Sequence, residues 1–224
     1  EVVAPGEEPK TGQIRDINGP VLLSQVGENG GVAQHKGIIA DEGEKLRRAL
    51  LASLDDADLL IISGGSSVGT RDVAARVIAS LPAGGVYFHG VSMRPGKPLI
   101  YGMSRGKPVF GLSGNPVSAM FSFILFVRPA LRILQGLPPF PDFTPYVEAS
   151  LDTNLSSPGG REDYVRVALY REAAAEGEEG MLRAKPFFGG PALLHTMVQA
   201  DGYFVIPRDV EGCPAGSRVK VYLF

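Results

Sequence analysis

Asp58-Leu59-Leu60-Ile61-Ile62-Ser63-Gly64-Gly65-Ser66-Ser67-Val68-Gly69-Thr70-Arg71-Asp72 is the stretch that decides the fold. The apolar run Leu59 to Ile62 reads as a strand buried on both faces, as strands of parallel sheets are. It leads straight into Ser63 to Gly69, seven residues with three glycines and three hydroxyls. Asp72 to Leu81 follows with Val73, Val77, Ile78 and Leu81 at helical spacing. Strand, glycine-rich turn and helix, in that order, present backbone N–H groups to an anion in α/β folds. A plain tight turn gives the same local pattern, so two readings stand here.

Upstream, a helix starts near Asp16 or Asn18, runs through Val21, Leu22, Leu23 and Val26, and stops at Gly27. Pro20 fits its first turn, where a missing N–H costs nothing. Gly31 to Ile39 reads as a strand, and Glu42 to Ser53 as a helix with Leu46, Ala49, Leu50 and Leu54 on one stripe. This alternation implies parallel strands joined by right-handed crossovers. Downstream, Gly85 to Val91 is a strand, and Leu99 to Met103 and Pro108 to Leu112 form a hairpin around Ser104-Arg105-Gly106-Lys107. Val117 to Leu134 is a long helix that Pro129 bends or interrupts near Phe126. Leu137 to Pro145 is a stiff proline-rich linker, with Phe140 and Phe143 expected to pin it to a domain surface. Beyond it, Tyr146 to Leu151, Asp163 to Tyr170, Gly180 to Ala184, Gly202 to Ile206 and Arg218 to Leu223 alternate at strand period. The expected organisation is an α/β domain over residues 1–136, the linker 137–145, and a small β domain, barrel or sandwich, over 146–224.

The 224 residues carry 22 basic and 24 acidic side chains, a formal charge of -2. Such a balance exerts no long-range pull on nucleic acid, so an anionic ligand must be met by a local cluster. The single Cys213 excludes an internal disulfide and a multi-cysteine metal site. The three histidines, His35, His89 and His195, have no zinc spacing. No apolar run of the roughly 18 residues that span a membrane is expected. The expectation is a soluble, cytoplasmic protein with no membrane and no nucleic-acid partner. The opening Glu1-Val2-Val3-Ala4 reads as a cut from a longer chain.

In open α/β sheets ligands bind outside the carboxyl ends of the strands. That rule puts Asp41, Ser63 to Asp72, and Ser113 to Pro116 on one rim. Two carboxylates, Asp41 and Asp72, beside phosphate oxygens suit Mg²⁺, a hard ion that takes oxygen ligands. Each also stands where a helix N-cap belongs. Arg94 and Lys97 straddle Pro95-Gly96, and with Arg105 and Lys107 make the local positive cluster. The last two, at a hairpin tip, also read as simply solvated. Asn115, between Gly114 and Pro116, sits at a strand-to-helix junction where its amide either shapes the turn or meets a ligand.

At these residues the chain resembles the family of the molybdenum cofactor biosynthesis protein MoeA and the gephyrin E domain. The likeness is carried by Gly12 to Asn18, Ser63 to Gly69 with Asp72, and Met93 to Pro98. It continues in Gly111 to Ala119 and Phe126 to Leu131, with Gly160 to Tyr164 and Ala200 to Gly202 behind. The resemblance implies a three-layer α/β molybdopterin-binding domain with a mostly parallel sheet, followed by a small β-barrel-like domain. It implies a molybdopterin molybdenumtransferase, which inserts molybdate into adenylylated molybdopterin with Mg²⁺ and releases AMP. On this likeness Glu1, Asp41 and Asp72 match the functional acids, Asp41 and Asp72 being the metal pair. Ser63, Gly64, Gly65, Ser66, Ser67, Gly69, Arg94, Lys97, Gly114 and Asn115 would contact the pterin substrate or its anions. Ser113 stands where the family has proline. The family's two N-terminal domains and the first strand of the α/β domain are missing from the chain. A homodimer and a molybdopterin adenylyltransferase partner are also implied. Two rival readings remain: an adenylyltransferase-like enzyme, which lacks the linker and second domain, and a non-catalytic binding or dimerisation fragment.

Overall fold

The computed structural model describes residues 1–65, 73–141, 143–173, 180–190 and 192–224. The chain forms two compact units, Glu1–Val91 with Gly96–Phe140, and Ser92–Pro95 with Pro141–Phe224. The elements of the first unit begin with β1 (Val2–Val3), β2 (Ile14–Arg15), α1 (Asn18–Glu28), α2 (Gly43–Ser53), β3 (Leu60–Ser63), α3 (Val73–Ala79) and β4 (Gly84–His89). β5 (Met93–Arg94) belongs to the second unit. β6 (Ile100–Ser104), β7 (Lys107–Leu112), α4 (Pro116–Ser122) and α5 (Arg128–Leu134) complete the first, with a π-helical stretch, Phe123–Val127, joining the last two.

The sheet of the first unit has the order β3-β7-β6-β4. β3 and β7 pair in parallel, while β6 is antiparallel to both β7 and β4. Three strands therefore run one way and β6 runs against them. Alternate residues serve opposite faces. Leu60 and Val109 pack with Leu50 and Leu54 of the α2 segment and Ala74, Val77 and Ile78 of α3. Phe110 and Leu112 pack on the other face with Leu22 of α1 and with Ala119, Phe123, Val127 and Leu131. The result is helix, sheet, helix: the three-layer α/β arrangement. The β6–β7 hairpin turns on Arg105 and Gly106, with φ of 50° and 74°. Positive φ at both central residues is the turn that matches strand twist.

Several expectations change. Gly31 to Ile39 enters no ladder among the described residues, and Val32 is 95 % exposed. A strand needs a partner edge for its backbone groups, and here none is beside it. Phe140 and Phe143 are 66 % and 69 % exposed and pin nothing. The start of the linker is instead tied down by Arg132 Nε, which donates to the carbonyl of Pro138 at 2.8 Å. Pro129 does interrupt its helix: the Arg128 N–H reaches back to the carbonyl of Phe123, five residues away. Proline offers no N–H to the ordinary ladder, and the helix absorbs this by widening one turn. Contrary to expectation, the 19 residues from Pro116 to Leu134 are long and apolar enough to cross a membrane by length and composition. Val117, Phe121, Phe123 and Val127 are fully buried, however, and the segment serves as a core helix of this unit.

The second unit contains β8 (Tyr146–Leu151), β9 (Leu155–Ser156), β10 (Glu162–Arg171), β11 (Leu182–Pro186), α6 (His195–Val198), β12 (Gly202–Ile206), β13 (Gly212–Cys213) and β14 (Arg218–Leu223). The order β11-β8-β14-β12-β10, with β10 returning to pair with β11, closes a five-stranded barrel. Closure removes free strand edges. The interior holds Leu151, Val167, Ala184, Phe204, Ile206 and Val221. β5 adds to β10 in parallel, Arg94 opposite Asp163.

Phe123 is wholly buried where the helix widens. Phe123→Ala should cost about 3–5 kcal/mol in urea unfolding, the loss for deleting a core aromatic. A cost under about 1 kcal/mol would contradict this packing.

Candidate functional site

The parallel pairing of β3 with β7 brings their carboxyl ends level, Ser63 opposite Leu112. The turns that follow are therefore neighbours. The Gly64 N–H donates to the carbonyl of Leu112 at 3.0 Å. Gly64 and Gly65 have φ of 95° and 65°, a left-handed pair that side-chain-bearing residues adopt at a cost. A Cβ placed on Gly114 would lie 3.6 Å from the Cα of Gly64, so the two turns touch. In the second turn the Ser113 Oγ accepts from the N–H of Asn115 at 3.2 Å. That bond restores some of the stiffness a proline at 113 would give. Pro116 opens α4, and the exposed Asn115 side chain makes no hydrogen bond among the described residues.

Asp41 reaches the same place. Its Oδ1 is 3.6 Å from a Cβ placed on Gly65. The capping explanation for Asp41 fails, because Glu42 is the N-cap of α2 and no side chain caps that helix. Among the described residues the Asp41 carboxylate accepts no hydrogen bond and pairs with no cation. It also lines a cleft of about 290 Å³ between α2 and α3, with Arg47 and Arg76. An exposed, uncommitted carboxylate beside a glycine turn suits a bound cation. Among the described residues no group of three metal-ligating side chains exists. Ser66, Ser67, Gly69 and Asp72 lie outside the described residues.

Lys97 sits at this edge of the sheet too. Its carbonyl accepts from the N–H of Val91 at 3.0 Å, just beyond the carboxyl end of β4. β4 points the same way as β3 and β7, so Lys97 shares their rim. Its ammonium is exposed and unpaired among the described residues. The two hairpin cations, Arg105 and Lys107, lie away from this rim, at the other end of β7. Glu1 is exposed next to the short β1–β2 ladder, and its carboxylate has no partner among the described residues. Arg105 pairs with Asp55 at 2.8 Å, and Lys107 donates to the carbonyl of Leu54 at 2.7 Å. Both secure the end of α2 and are withdrawn from the positive cluster.

Arg94 lies in the second unit. Its guanidinium is 3.9 Å from Asp163, whose oxygens already receive Arg161 Nε and Ser157 Oγ, each at 2.9 Å. Arg94 is thus only loosely held. β10, the strand of Asp163, carries a residue that sequence reasoning passed over. Arg166 is 7 % exposed, and its Nε and Nη1 have no partner. Burial, and then the like charge of Arg94, hold its pKa below the usual arginine value. A buried guanidinium with two unpartnered nitrogens is costly, and it suits an anionic ligand. The sequence signal was slight: one cation in the apolar run Val165 to Leu169.

The family described as "Probable molybdopterin binding domain" matches residues 1–133, and "MoeA C-terminal region (domain IV)" matches residues 148–224. Molybdopterin molybdenumtransferase 2 of Mycobacterium tuberculosis is 33% identical over 228 residues, covering 99% of this chain and 54% of its own length. The crystal structure of a molybdopterin biosynthesis MoeA protein from Pyrococcus horikosii superposes with a TM-score of 0.80 at 34% identity, covering 100% of this chain and 51% of that one. A molybdenum cofactor biosynthesis protein from Pyrococcus furiosus does so at 0.72 and 31%, covering 93% and 65%. The chain spans about half the length of the curated relatives it matches.

If Arg166 waits for an anion, Arg166→Met should stabilise the unliganded protein by about 1–4 kcal/mol, as apolar replacement of buried charge does. The upward shift in melting temperature that inorganic phosphate gives the parent should vanish in the variant. A variant less stable than its parent would show that the guanidinium is structural.

Proposed function

We propose that this chain, which belongs to the molybdopterin-binding domain family joined to a MoeA C-terminal region, carries the pterin-binding part of a molybdopterin molybdenumtransferase. One observation carries the reading: an Asp41 carboxylate with no partner among the described residues faces a turn of two left-handed glycines at the carboxyl edge of the sheet. In it, Ser63, Gly64, Gly65, Ser66, Ser67 and Gly69 cradle the pterin phosphate, and Gly114 and Asn115 border it. Lys97 meets the anionic charge on the same rim. Arg94 and Arg166 are the cations of the second unit suited to molybdate, a tetrahedral dianion that guanidinium groups bind well. Glu1 keeps the acidic role the resemblance gives it.

The substrate is adenylylated molybdopterin. Attack of a water oxygen on the adenylate phosphorus breaks the P–O–P bond: AMP leaves carrying that oxygen, the pterin keeps its own phosphate, and a proton goes to solvent. Molybdate is then ligated by the pterin's paired thiolates, an oxo group leaving as water. Asp41 and Asp72 are the residues that would hold Mg²⁺, which supplies charge neutralisation on phosphate oxygens. The protein's own contribution is to hold the phosphates with N–H groups and cations in place before reaction. A homodimer, a molybdopterin adenylyltransferase partner and a cytoplasmic setting belong to the same proposal. The exposed apolar Ile133, Leu134 and Leu137 at the end of α5 support a second copy. A stand-alone adenylyltransferase is disfavoured by the match of residues 148–224 to the MoeA C-terminal region.

The test is AMP release from adenylylated molybdopterin with molybdate and Mg²⁺, by this chain and by a longer protein spanning the full length of the relatives. Asp41→Asn in the longer protein should lose at least 100-fold in Mg²⁺-dependent turnover and keep pterin affinity within about threefold, a loss of the size expected when transition-state charge is left unsupported. Parental turnover by Asp41→Asn, or no AMP from the longer protein, would overturn the proposal.

A further inference from the structure

Asn18 is the first residue of α1 and is only 8 % exposed. A polar side chain at a helix start normally caps its own helix. Asn18 does not. That work falls to Asp16, whose Oδ1 accepts from the N–H of Gly19 at 3.0 Å. Gly19 allows it, since a Cβ there would lie 2.2 Å from the other Asp16 oxygen. Released from capping, the Asn18 amide turns to the carboxyl edge of the sheet. Its Nδ2 donates to Ser63 Oγ, to the Gly114 carbonyl at 3.0 Å and to the Ser113 carbonyl at 3.3 Å. Two of these acceptors are carbonyls, which fixes the amide's orientation. Ser63 Oγ also donates to the Ser113 carbonyl at 3.4 Å, closing the set.

From this geometry we infer that Asn18 is a positioning residue, holding the Ser63–Gly65 turn and the Ser113–Asn115 turn at one spacing so that they act as a single ligand edge. The inference rests on the pterin site proposed above. One buried amide serves acceptors on both turns, so removing it unties both at once. Both turns carry exposed or half-exposed glycine backbone, and beside the Gly64–Leu112 and Asn115–Ser113 bonds it is the Asn18 amide that ties one turn to the other. Asn18 need not touch the ligand; it sets where the groups that do are found. An aspartate of the same shape would set an oxygen against the Ser113 and Gly114 carbonyls and drive the turns apart.

The experiment compares the chain with Asn18→Asp and Leu22→Ala. Leu22, buried on the same helix, reports plain loss of α1 stability. Amide NMR spectra of the unliganded proteins are recorded first, then binding is followed through molybdopterin fluorescence. In Asn18→Asp the amides of Gly64, Gly65, Gly114 and Asn115 should shift together, those of β10 to β14 should stay, and affinity should fall at least tenfold. Leu22→Ala, though less stable than the parent, should bind within twofold of it. Parental affinity in Asn18→Asp, an equal loss in Leu22→Ala, or shifts confined to one turn would overturn the inference. A parent that binds no molybdopterin defeats the functional proposal, and the NMR comparison still decides the role of Asn18. If Asn18→Asp does not fold, Ser63→Ala removes one acceptor only. It should move the Gly114 and Asn115 resonances across the gap, and unmoved resonances would overturn the inference.

Discussion

The parallel pairing of Leu60–Ser63 with Val109–Leu112 is the constraint on which the first unit depends. Four register pairs do two things. They alternate side chains to both faces, so that α2 and α3 must cover one and α1 with α4 and α5 the other. They also end level, so that whatever follows each strand emerges beside the other. A parallel pair cannot be closed by a tight turn. Its two exits are left as free backbone at one edge, and free backbone must be hydrogen-bonded or solvated. Here part of that need is met inside the unit, by Gly64 on Leu112 and by Asn18 on Ser113 and Gly114. The rest faces outward.

The second unit meets the same demand differently. Closing five strands into a barrel pairs nearly every backbone group and leaves no long edge. Ligand chemistry there depends on side chains and on their being left incomplete. Asp163 takes Arg161 and Ser157 at short range and Arg94 only at 3.9 Å, while Nε and Nη1 of Arg166 have no hydrogen-bond partner among the described residues. Arg94, Arg161 and Arg166, on and beside β5 and β10, stand with two carboxylates, Glu162 and Asp163, a slight local excess of positive charge in a chain whose total is -2. It is the local cluster that composition alone could demand but not locate.

Much of this was legible in the sequence because hydrophobic period and turn chemistry are local. Leu59 to Ile62, the hairpin at Arg105-Gly106 and the strands of the second unit all follow from spacing. Gly31 to Ile39 failed because alternation says a segment suits a strand and not that an edge awaits it. The linker phenylalanines failed for a related reason: an aromatic residue in a proline-rich stretch needs a surface that sequence cannot supply. At the site, Asp41 was legible as a carboxylate near a strand end. That it does not cap its helix was not, because the cap is decided by one residue of register. Arg105 and Lys107 were indistinguishable from Lys97 as cations, until their partners on α2 separated them. Arg166 reads as an outward-facing residue on any alternating strand, and only its burial without a partner sets it apart.

The groups left unsatisfied are the argument for function. A fold selected for stability alone would pair Asp41, cap α2 with it, and put an apolar residue at 166. Each departure costs free energy in the unliganded state, and each is of the sign an anion with its counter-cation would reverse. The saturated groups make the complementary point. Asn18, Asp16 and Ser113 each spend hydrogen-bonding capacity holding backbone turns still. Rigid turns with bonded scaffolds, beside charged side chains that have no partner among the described residues, are what pre-organised binding requires: the entropy is lost at folding, and the electrostatic gain is deferred until the ligand arrives.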